Sequence, residues 1–191
     1  MPKNFIREST GLVNLSDMDN SFIFDLKYAT KDNFTKQAVY PINVCVLHED
    51  TALKLINANM EFKKLGYKIK IWDAYRPMYV QRIFWDLVHD ERFVANPNKN
   101  GSRHNRGTAV DVTLVDDASK ELKMPSKFDD FSDKASRDYK SMGEEERKNI
   151  NFLTGVMERN GFIIIDTEWW HFDDSNHCKY KIIDAQLECF I

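Results

Sequence analysis

One stretch of the sequence brings a histidine and a carboxylate together around a glycine. Its residues are Ser102-Arg103-His104-Asn105-Arg106-Gly107-Thr108-Ala109-Val110-Asp111, in which a loop leads into an apolar strand. Burying an unpaired carboxylate between Val110 and Val112 would cost several kcal/mol. We therefore expect Asp111 to face a cation, a cluster of hydrogen-bond donors or solvent.

A second stretch sets two polar side chains among bulky aromatic residues. It is Glu168-Trp169-Trp170-His171-Phe172, which follows the apolar segment 162–165. Aromatic neighbours exclude water and so strengthen interactions with a metal or with a developing negative charge. Taken alone, the stretch is more typical of a tryptophan-rich core in which Glu168 and His171 are hydrogen-bonded to each other or to the backbone.

Together, the two stretches supply two imidazoles, one carboxylate ligand and a spare glutamate. Catalytic zinc sites use three protein ligands of these types and leave the fourth position open. The combination therefore indicates a catalytic zinc site rather than two unrelated polar clusters.

A third feature is the arginine in Trp72-Asp73-Ala74-Tyr75-Arg76-Pro77, at the junction of a predicted strand and a predicted helix. Active sites often draw their residues from the ends of such elements. Arg76 could be a structural ion-pair partner, for example of Asp73. Beside a metal, a fixed guanidinium would instead stabilise an oxyanion.

The other histidines and the cysteines are weaker candidates for chemistry. His48 and His89 lie near helix ends, and His177 lies in a polar loop beside Cys178. Two adjacent residues cannot surround a zinc ion on their own. The three cysteines show no CxxC spacing, so neither a disulfide framework nor a thiolate zinc cage is indicated, and Cys45 is predicted to be a core residue.

The composition narrows the class of protein. A chain of 191 residues with a formal net charge of −3 is long enough for one core, and it carries no basic block that would suggest nucleic-acid binding. The sequence contains no run of 18 apolar residues, which a membrane span would need, and the amino terminus lacks the apolar stretch of a signal peptide. We expect a cytoplasmic protein with a small-molecule or peptide partner; an export signal removed before Met1 would instead make it periplasmic.

The elements that must position these residues follow from the apolar patterns. Strands are predicted over 21–29, 39–47, 67–71, 108–115 and 162–165, from alternation and β-branched or aromatic content. Helices are predicted over 50–65, from Pro77 to near Arg92, and over 144–160. Their predicted apolar positions are Leu53, Ile56 and Met60, flanked by Ala52, Leu55 and Ala58; Val80, Ile83, Phe84, Leu87 and Val88; and Ile150, Leu153, Val156 and Met157. We therefore expect one compact α+β domain over residues 1–191, with a largely antiparallel sheet and flanking helices.

Several separated motifs are similar to those of one known family. The stretch Ser102–Asp111 and Glu168-Trp169-Trp170-His171 resemble the D-alanyl-D-alanine dipeptidases of vancomycin-resistance type. Further similarity lies in Asp25–Thr35, Trp72–Pro77, Met124 and Phe128-Asp129, so that the resemblance spans about Asp25 to Phe172. It implies the small α+β fold shared with some D,D-carboxypeptidases, phage cell-wall peptidases and the hedgehog signalling domain.

The resemblance also implies a role for each matching residue. One zinc ion per chain would be bound by His104, Asp111 and His171, with Glu168 as catalytic base and Arg76 as transition-state stabiliser. The substrate pocket would be lined by Tyr28, Ser102 and Asp129, and Asp129 would pair with the ammonium group of a free dipeptide. The sequence departs from the family at Asn105, where serine is common, and at 134–136, where Lys-Ala-Ser replaces Arg-Ser-His.

Two alternatives remain open on the sequence. A D,D-carboxypeptidase or peptidoglycan endopeptidase would share the metal and base but have an open groove. A binding or signalling module would keep zinc without catalysis, although the presence of both Glu168 and Arg76 argues against it. The configuration of the substrate, the oligomeric state and the biological role do not follow from the residues.

Overall fold

A five-stranded sheet forms the centre of the computed structural model, which describes residues 3–191. Its spatial order is β2 (Ile23–Phe24), β4 (Tyr67–Asp73), β5 (Ala109–Asp116), β7 (His171–Asp174) and β6 (Phe162–Ile164). The β2–β4 pair is parallel and the other pairs are antiparallel. A separate antiparallel pair joins β1 (Leu12–Asn14) to β3 (Val46–His48).

Helices pack around these sheets. They are α1 (Lys3–Thr10), α2 (Leu15–Met18), α3 (Glu49–Lys63), α4 (Met78–Val88) and α5 (Glu144–Arg159). Short 3₁₀ helices span Lys27–Ala29, Arg103–Arg106, Asp133–Ala135, His177–Lys179 and Leu187–Phe190. The predicted α+β class with a largely antiparallel sheet is confirmed. Within the described part of the chain, no helix has both the length and the apolar character of a membrane span.

The central strand β5 separates a packing face from a site face. Side chains alternate along a strand, so Val110, Val112 and Leu114 enter one hydrophobic core, which also contains residues of α3 and α5. Asp111 and Thr113 point to the opposite face. Both are nevertheless buried, because the chain that links β5 to α5 covers this face.

A second core lies around α4. Tyr28, Tyr75, Val80 and Phe84 pack there with the carboxyl-terminal segment, including Leu187 and Phe190. The Tyr75 hydroxyl lies within hydrogen-bond distance of the Ile183 and Ala185 carbonyl oxygens and accepts from the Ala185 amide, which fixes that segment against the domain. This core supports the strand-to-helix junction that carries Arg76.

The predictions of long strands over 21–29 and 39–47 are wrong. Only Ile23–Phe24 and Val46–His48 are strands, and Lys27–Ala29 is a 3₁₀ helix. The Asn33 side-chain amide donates to the carbonyl oxygens of Lys27, Thr30 and Gln37, so this segment is held by local bonds instead of a ladder. The amides of Val39 and Tyr40 both bond to the Tyr28 carbonyl, which anchors Tyr28 at the site.

The inward faces of two helices also differ from expectation. In α3, Leu53 and Met60 are exposed, whereas Ala52, Leu55 and Phe62 are buried. The buried face includes Asn59, whose side chain accepts a hydrogen bond from the Ile69 amide of β4, and this bond orients the helix.

In α4, Ile83 and Leu87 are exposed, while Val80 and Phe84 are buried as predicted. Its inner face also carries Gln81, which bonds to Arg76. The face of α5 with Ile150, Leu153, Val156 and Met157 is buried as predicted, whereas Ile163 of the edge strand β6 is exposed. An edge strand with one wet face accounts for that exposure.

Candidate active site

Two predicted metal ligands come from neighbouring strands of the central sheet. Asp111 of β5 lies directly opposite His171 of β7 in the antiparallel register. Side chains that are directly opposite lie on the same face of the sheet, with Cβ atoms about 5 Å apart. The ladder itself therefore places this carboxylate against this imidazole.

The third predicted ligand, His104, lies in a short capped turn. The Ser102 hydroxyl accepts from the His104 amide (3.2 Å), and the Asn105 side chain accepts from the Ser102 amide (2.7 Å). The turn ends at Gly107, which has φ 68°. A Cβ there would lie 2.5 Å from Leu12 Cδ2 and 2.7 Å from the His48 amide nitrogen, so only glycine allows this approach.

Asn105 also ties this turn to Arg76. Its side-chain amide donates to the Arg76 carbonyl oxygen (2.7 Å), and the Arg76 amide donates to the His104 carbonyl oxygen (3.1 Å). A serine, which is too short to make both side-chain contacts, could not replace Asn105 in this link. The departure from the family pattern therefore fixes the position of His104 relative to Arg76.

The three candidate ligand atoms form a small triangle. His104 Nε2 is 3.2 Å from His171 Nδ1 and 3.5 Å from Asp111 Oδ1, and His171 Nδ1 is 3.0 Å from Asp111 Oδ1. Four ligands at zinc distances of 2.0–2.1 Å in a tetrahedron lie about 3.3 Å from one another. The observed spacings bracket that value, so this donor set fits zinc.

The outer nitrogen of each imidazole has its own acceptor. His104 Nδ1 lies 2.7 Å from the Ala74 carbonyl oxygen, and His171 Nε2 lies 2.9 Å from Asp173 Oδ1. Both outer nitrogens must therefore carry the proton in a neutral ring, which leaves lone pairs on His104 Nε2 and His171 Nδ1. Such partners are typical of metal-binding histidines.

The charges of the three candidate ligands also favour a bound metal ion. Burial opposes the ionised form of Asp111, but His104 and His171 hold the pKa of this carboxyl well below its usual range. Burial would lower the pKa of His171, yet the hydrogen bonds and charges of Asp111 and Asp173 outweigh it and raise that pKa to about 10. Three donors that converge in this way favour a cation at their centre.

Glu168 lies beside the triangle without joining it. Its Oε2 is 3.9 Å from His171 Nδ1, and a quarter of its side chain is exposed to the cavity. Burial raises the pKa of Glu168, Asp111 adds to the shift, and the neighbouring cations oppose it. A carboxylate with a raised pKa is suited to accepting and returning a proton near neutral pH.

Arg76 is held rigidly at the edge of the same site. Its Nε and Nη2 donate to Asp73 Oδ2 (3.1 and 2.7 Å), and Nη1 donates to Gln81 Oε1 (2.9 Å). Asp73 in turn accepts from the Tyr40 hydroxyl (2.6 Å). Three of the five guanidinium N–H groups are thus engaged, and two remain for a ligand. The ion pair with Asp73 considered from the sequence is therefore present, and it orients the guanidinium.

Tyr28 and Asp129 form one wall of the site. The Tyr28 hydroxyl lies 3.0 and 3.1 Å from the two oxygens of Asp129, and its ring packs against Phe84. Asp129 has φ 57°, a left-handed conformation that aspartate tolerates better than most residues. Burial and the charge of Asp111 raise the pKa of Asp129 to about 8.

All eight predicted site residues line one cavity with a volume of about 860 Å³. They are Tyr28, Arg76, Ser102, His104, Asp111, Asp129, Glu168 and His171. Sequence reasoning missed Asp173 and Gln81. Asp173 could have been found, because it follows His171 by two positions on one strand and such residues share a face. Nothing in the sequence connected Gln81 to Arg76.

The histidines and cysteines that the sequence marked as weaker candidates lie outside the triangle. His48 caps α3, accepting from the Asp50 amide, and His89 ends α4 in a left-handed conformation. His177 is half-buried and Cys178 is exposed; both line the cavity, and their side chains contact each other at 3.4 Å. Cys45 is buried, and all three cysteines are free.

Comparison with known proteins identifies the relatives of this chain. Residues 8–191 match the model of the Peptidase_M15 family, described as D-ala-D-ala dipeptidase. A D-alanyl-D-alanine dipeptidase of Escherichia coli strain K12 is 33% identical over 184 residues, covering 96% of this chain and 95% of the relative. A D-alanyl-D-alanine dipeptidase of Enterococcus faecalis strain V583 is 31% identical over 194 residues, covering 91% and 92%.

Solved structures show a weaker likeness. A vancomycin-resistance D,D-pentapeptidase VanY variant from a VanB-type cassette, in complex with Zn(II), is 18% identical with a TM-score of 0.46. The match covers 73% of this chain and 80% of that one.

Proposed function

The chain belongs to the D-Ala-D-Ala dipeptidase family of peptidases, and from this membership we propose that it hydrolyses D-alanyl-D-alanine to two molecules of D-alanine in a zinc-dependent reaction. The observation that carries the proposal is the convergence of His104 Nε2, Asp111 Oδ1 and His171 Nδ1 within 3.5 Å of one another, beside Glu168.

The metal would be held by His104, Asp111 and His171. When bound at such a site, zinc supplies Lewis-acid chemistry, acidifying water and drawing electron density from a carbonyl oxygen. Ala74 and Asp173 fix the tautomers of the two histidines, so that the lone pairs needed for binding face inward.

Glu168 acts as the proton carrier of the reaction. Its carboxylate removes a proton from the attacking water and later delivers it to the nitrogen of the departing D-alanine. A raised pKa suits both roles, because the same group must accept and release a proton within one turnover. The distance of 3.9 Å from His171 Nδ1 keeps it next to the reacting carbon without occupying the triangle.

Arg76 stabilises the negative charge that develops on the carbonyl oxygen. Its bonds to Asp73 and Gln81 fix the guanidinium before substrate arrives, so little reorganisation is needed during the reaction. The central carbon of the guanidinium lies 4.8 Å from the centre of the Phe84 ring and 5.5 Å from the centre of the Tyr28 ring. These two rings exclude water around the charge.

Asp129 binds the ammonium group of the dipeptide, with Tyr28 orienting the carboxylate and Ser102 lining the same cavity. A buried carboxylate whose pKa is raised gains much from a cationic partner. An N-blocked or longer peptide would leave Asp129 desolvated without that partner, which favours free dipeptides.

The direct test is turnover of a dipeptide panel by zinc-loaded protein, with release of free alanine as the readout. We expect hydrolysis of D-Ala-D-Ala and little or none of L-Ala-L-Ala. Absence of D-Ala-D-Ala hydrolysis by protein that retains stoichiometric zinc would refute the proposal.

One observation favours a second candidate, a D,D-carboxypeptidase that acts on longer peptides. The cavity volume of about 860 Å³ lies in the range that accommodates drug-sized ligands, and is larger than one dipeptide needs. Comparison of free with N-acetylated D-Ala-D-Ala separates the two activities. A dipeptidase should strongly prefer the free form, whereas a carboxypeptidase should accept both.

A further inference from the structure

A free dipeptide carries two opposite charges, and the proposed function accounts for one of them. Asp129 pairs with the ammonium group, while the carboxylate of the carboxyl-terminal residue has no assigned partner. This cavity is a poor place for an unpaired anion, since its lining is rich in carboxylates: Glu91, Asp111, Asp129, Asp130, Asp133 and Glu168. The question, which rests on the proposed function, is which cation binds the substrate carboxylate.

Four arginines line the cavity within the described residues, and three are committed elsewhere. Arg76 is held by Asp73 and Gln81 and faces the carbonyl oxygen in the proposed reaction. Arg92 binds both oxygens of Asp90, and most of its side chain is in solvent. Arg106 donates from its terminal nitrogens to the backbone carbonyls of Tyr180 (2.7 Å) and Asn100 (3.3 Å).

The remaining arginine, Arg103, forms an ion pair through Nε alone. Its side chain is 47% exposed, and its ion-pair partner among the described residues is Asp173, at 3.4 Å from Nε to Oδ2. That contact lacks hydrogen-bond geometry, since Asp173 Oδ2 accepts no hydrogen bond. Within the described residues, the four N–H groups on the terminal nitrogens of Arg103 have no hydrogen-bond partner, and a planar guanidinium can bind a carboxylate through two parallel bonds.

The position of Arg103 fits a partner for the carboxyl-terminal end. It immediately precedes His104, and it contacts Asp173, which binds the nitrogen of His171 that faces away from the triangle. Asp129 approaches the site from a different side, through Tyr28, which packs on Phe84 and Arg76. The two charged side chains therefore line the same cavity from separate segments of the chain, as recognition of the two ends of a dipeptide requires.

We propose that Arg103 binds the carboxylate of the substrate's carboxyl-terminal residue and makes the enzyme selective for dipeptides with a free carboxyl group. With Asp129, it supplies a pair of opposite charges to the lining of the cavity that contains the metal triangle. The pair recognises a zwitterion, and the partial contact with Asp173 holds the guanidinium near the cavity before substrate binds.

The test compares D-Ala-D-Ala with D-alanyl-D-alaninamide in wild-type protein and in Arg103→Met. For the acid, we expect KM to rise about tenfold to hundredfold in the variant with little change in kcat, since a charge-assisted bond is lost. For the amide, which has no carboxylate, we expect less than about a threefold change. Zinc content should be equal in both proteins.

Two further variants serve as controls. Arg103→Lys keeps the charge without the planar fork, so its KM for the acid should lie between those of the wild type and Arg103→Met. Arg92→Met also removes an arginine from the cavity lining and should leave both substrates unaffected.

The outcomes distinguish this inference from the proposed function. Equal losses on acid and amide would show that Arg103 acts only by supporting Asp173, and no loss on the acid would show that it does not touch substrate; either overturns the inference alone. A zinc-loaded wild-type protein that turns over neither substrate would overturn the proposed function and, with it, the role of Arg103.

Discussion

His104 Nε2 and His171 Nδ1 face each other at 3.2 Å, and when both rings are neutral, the hydrogen bond on the opposite nitrogen of each ring leaves both facing atoms without a proton. Two such lone pairs beside the Asp111 carboxylate repel one another. The arrangement is stable when a cation lies among them or when one ring is protonated. The metal centre and the behaviour of the metal-free protein both follow from this contact.

Substitutions should distinguish the residues that hold zinc from the residue that carries the proton. We expect His104→Ala to lose both zinc and activity, because it removes one corner of the triangle. Glu168→Gln should keep about one zinc per chain and lose most of kcat, because the amide cannot accept the proton. Metal analysis alongside D-Ala-D-Ala turnover checks both. Loss of zinc from Glu168→Gln would identify Glu168 as a ligand and contradict the assignment.

Asp173 should tune zinc affinity through His171. Asp173→Asn keeps a side-chain oxygen that can accept a hydrogen bond from His171 Nε2. Asp173→Leu replaces the side chain by one of similar size that has no acceptor. We expect the leucine variant to bind zinc about tenfold to hundredfold more weakly, and the asparagine variant to lose much less. Competition with a chromogenic chelator measures the difference. Indistinguishable affinities for the two variants would mean that the acceptor is unimportant.

Removal of zinc should make stability fall with rising pH. In the metal-free protein, the pKa of His171 is raised from 6.5 to about 10. Its protonated ring therefore stabilises the metal-free fold fully below about pH 6.5, and this contribution is lost as the pH rises towards 10. We expect Tm of the chelator-treated protein to decline across this interval.

The matched controls for this effect are the zinc-loaded protein and a variant of a different histidine. In the loaded protein, His171 is held without its inner proton, so the decline due to this group should be absent. His177→Gln, which alters a histidine outside the triangle, should behave like the wild type. A metal-free protein whose Tm is constant between pH 6.5 and 10 would show that His171 is not protonated there.

Asp129 should set the preference for a free ammonium group. Asp129→Asn preserves the left-handed backbone, which asparagine also tolerates, and removes the charge. We expect kcat/KM for D-Ala-D-Ala to fall about tenfold to hundredfold, with zinc unchanged and a much smaller loss on the N-acetylated substrate. Similar losses on both substrates would indicate a displaced loop rather than a lost ion pair.

Much of the site was accessible from the sequence because its chemistry is local. Each motif places its ligands within a few residues of a strand, so His104, Asp111 and His171 could be named from residue type and resemblance. Asp173 and Gln81 act through bonds to other site residues, and such bonds depend on how strands and helices meet. The role of Asn105 as a link between two motifs was also invisible, because its partner, Arg76, is distant in sequence.

The fold was predictable where burial is periodic and less so where local hydrogen bonds dominate. The strand 108–115 and the helix 144–160 alternate or repeat clearly and were found. The segment 21–47 contains enough β-branched and aromatic residues to resemble strands, yet Asn33 captures three backbone carbonyls and prevents a ladder. In α3, the large apolar residues Leu53 and Met60 are exposed, whereas the flanking Ala52 is buried together with Asn59, a polar residue that hydrophobicity alone does not select.

The metal triangle and the substrate wall are carried by different parts of the chain. Asp111 and His171 belong to paired strands of the central sheet, whereas Asp129 lies on the irregular segment 117–143 between β5 and α5. The paired positions of the β5–β7 ladder include no residue of that segment. Changes in the segment 117–143 could therefore alter which substrates bind while the candidate metal ligands on β5 and β7 stay in place. This separation makes the architecture well suited to the evolution of new substrate specificities.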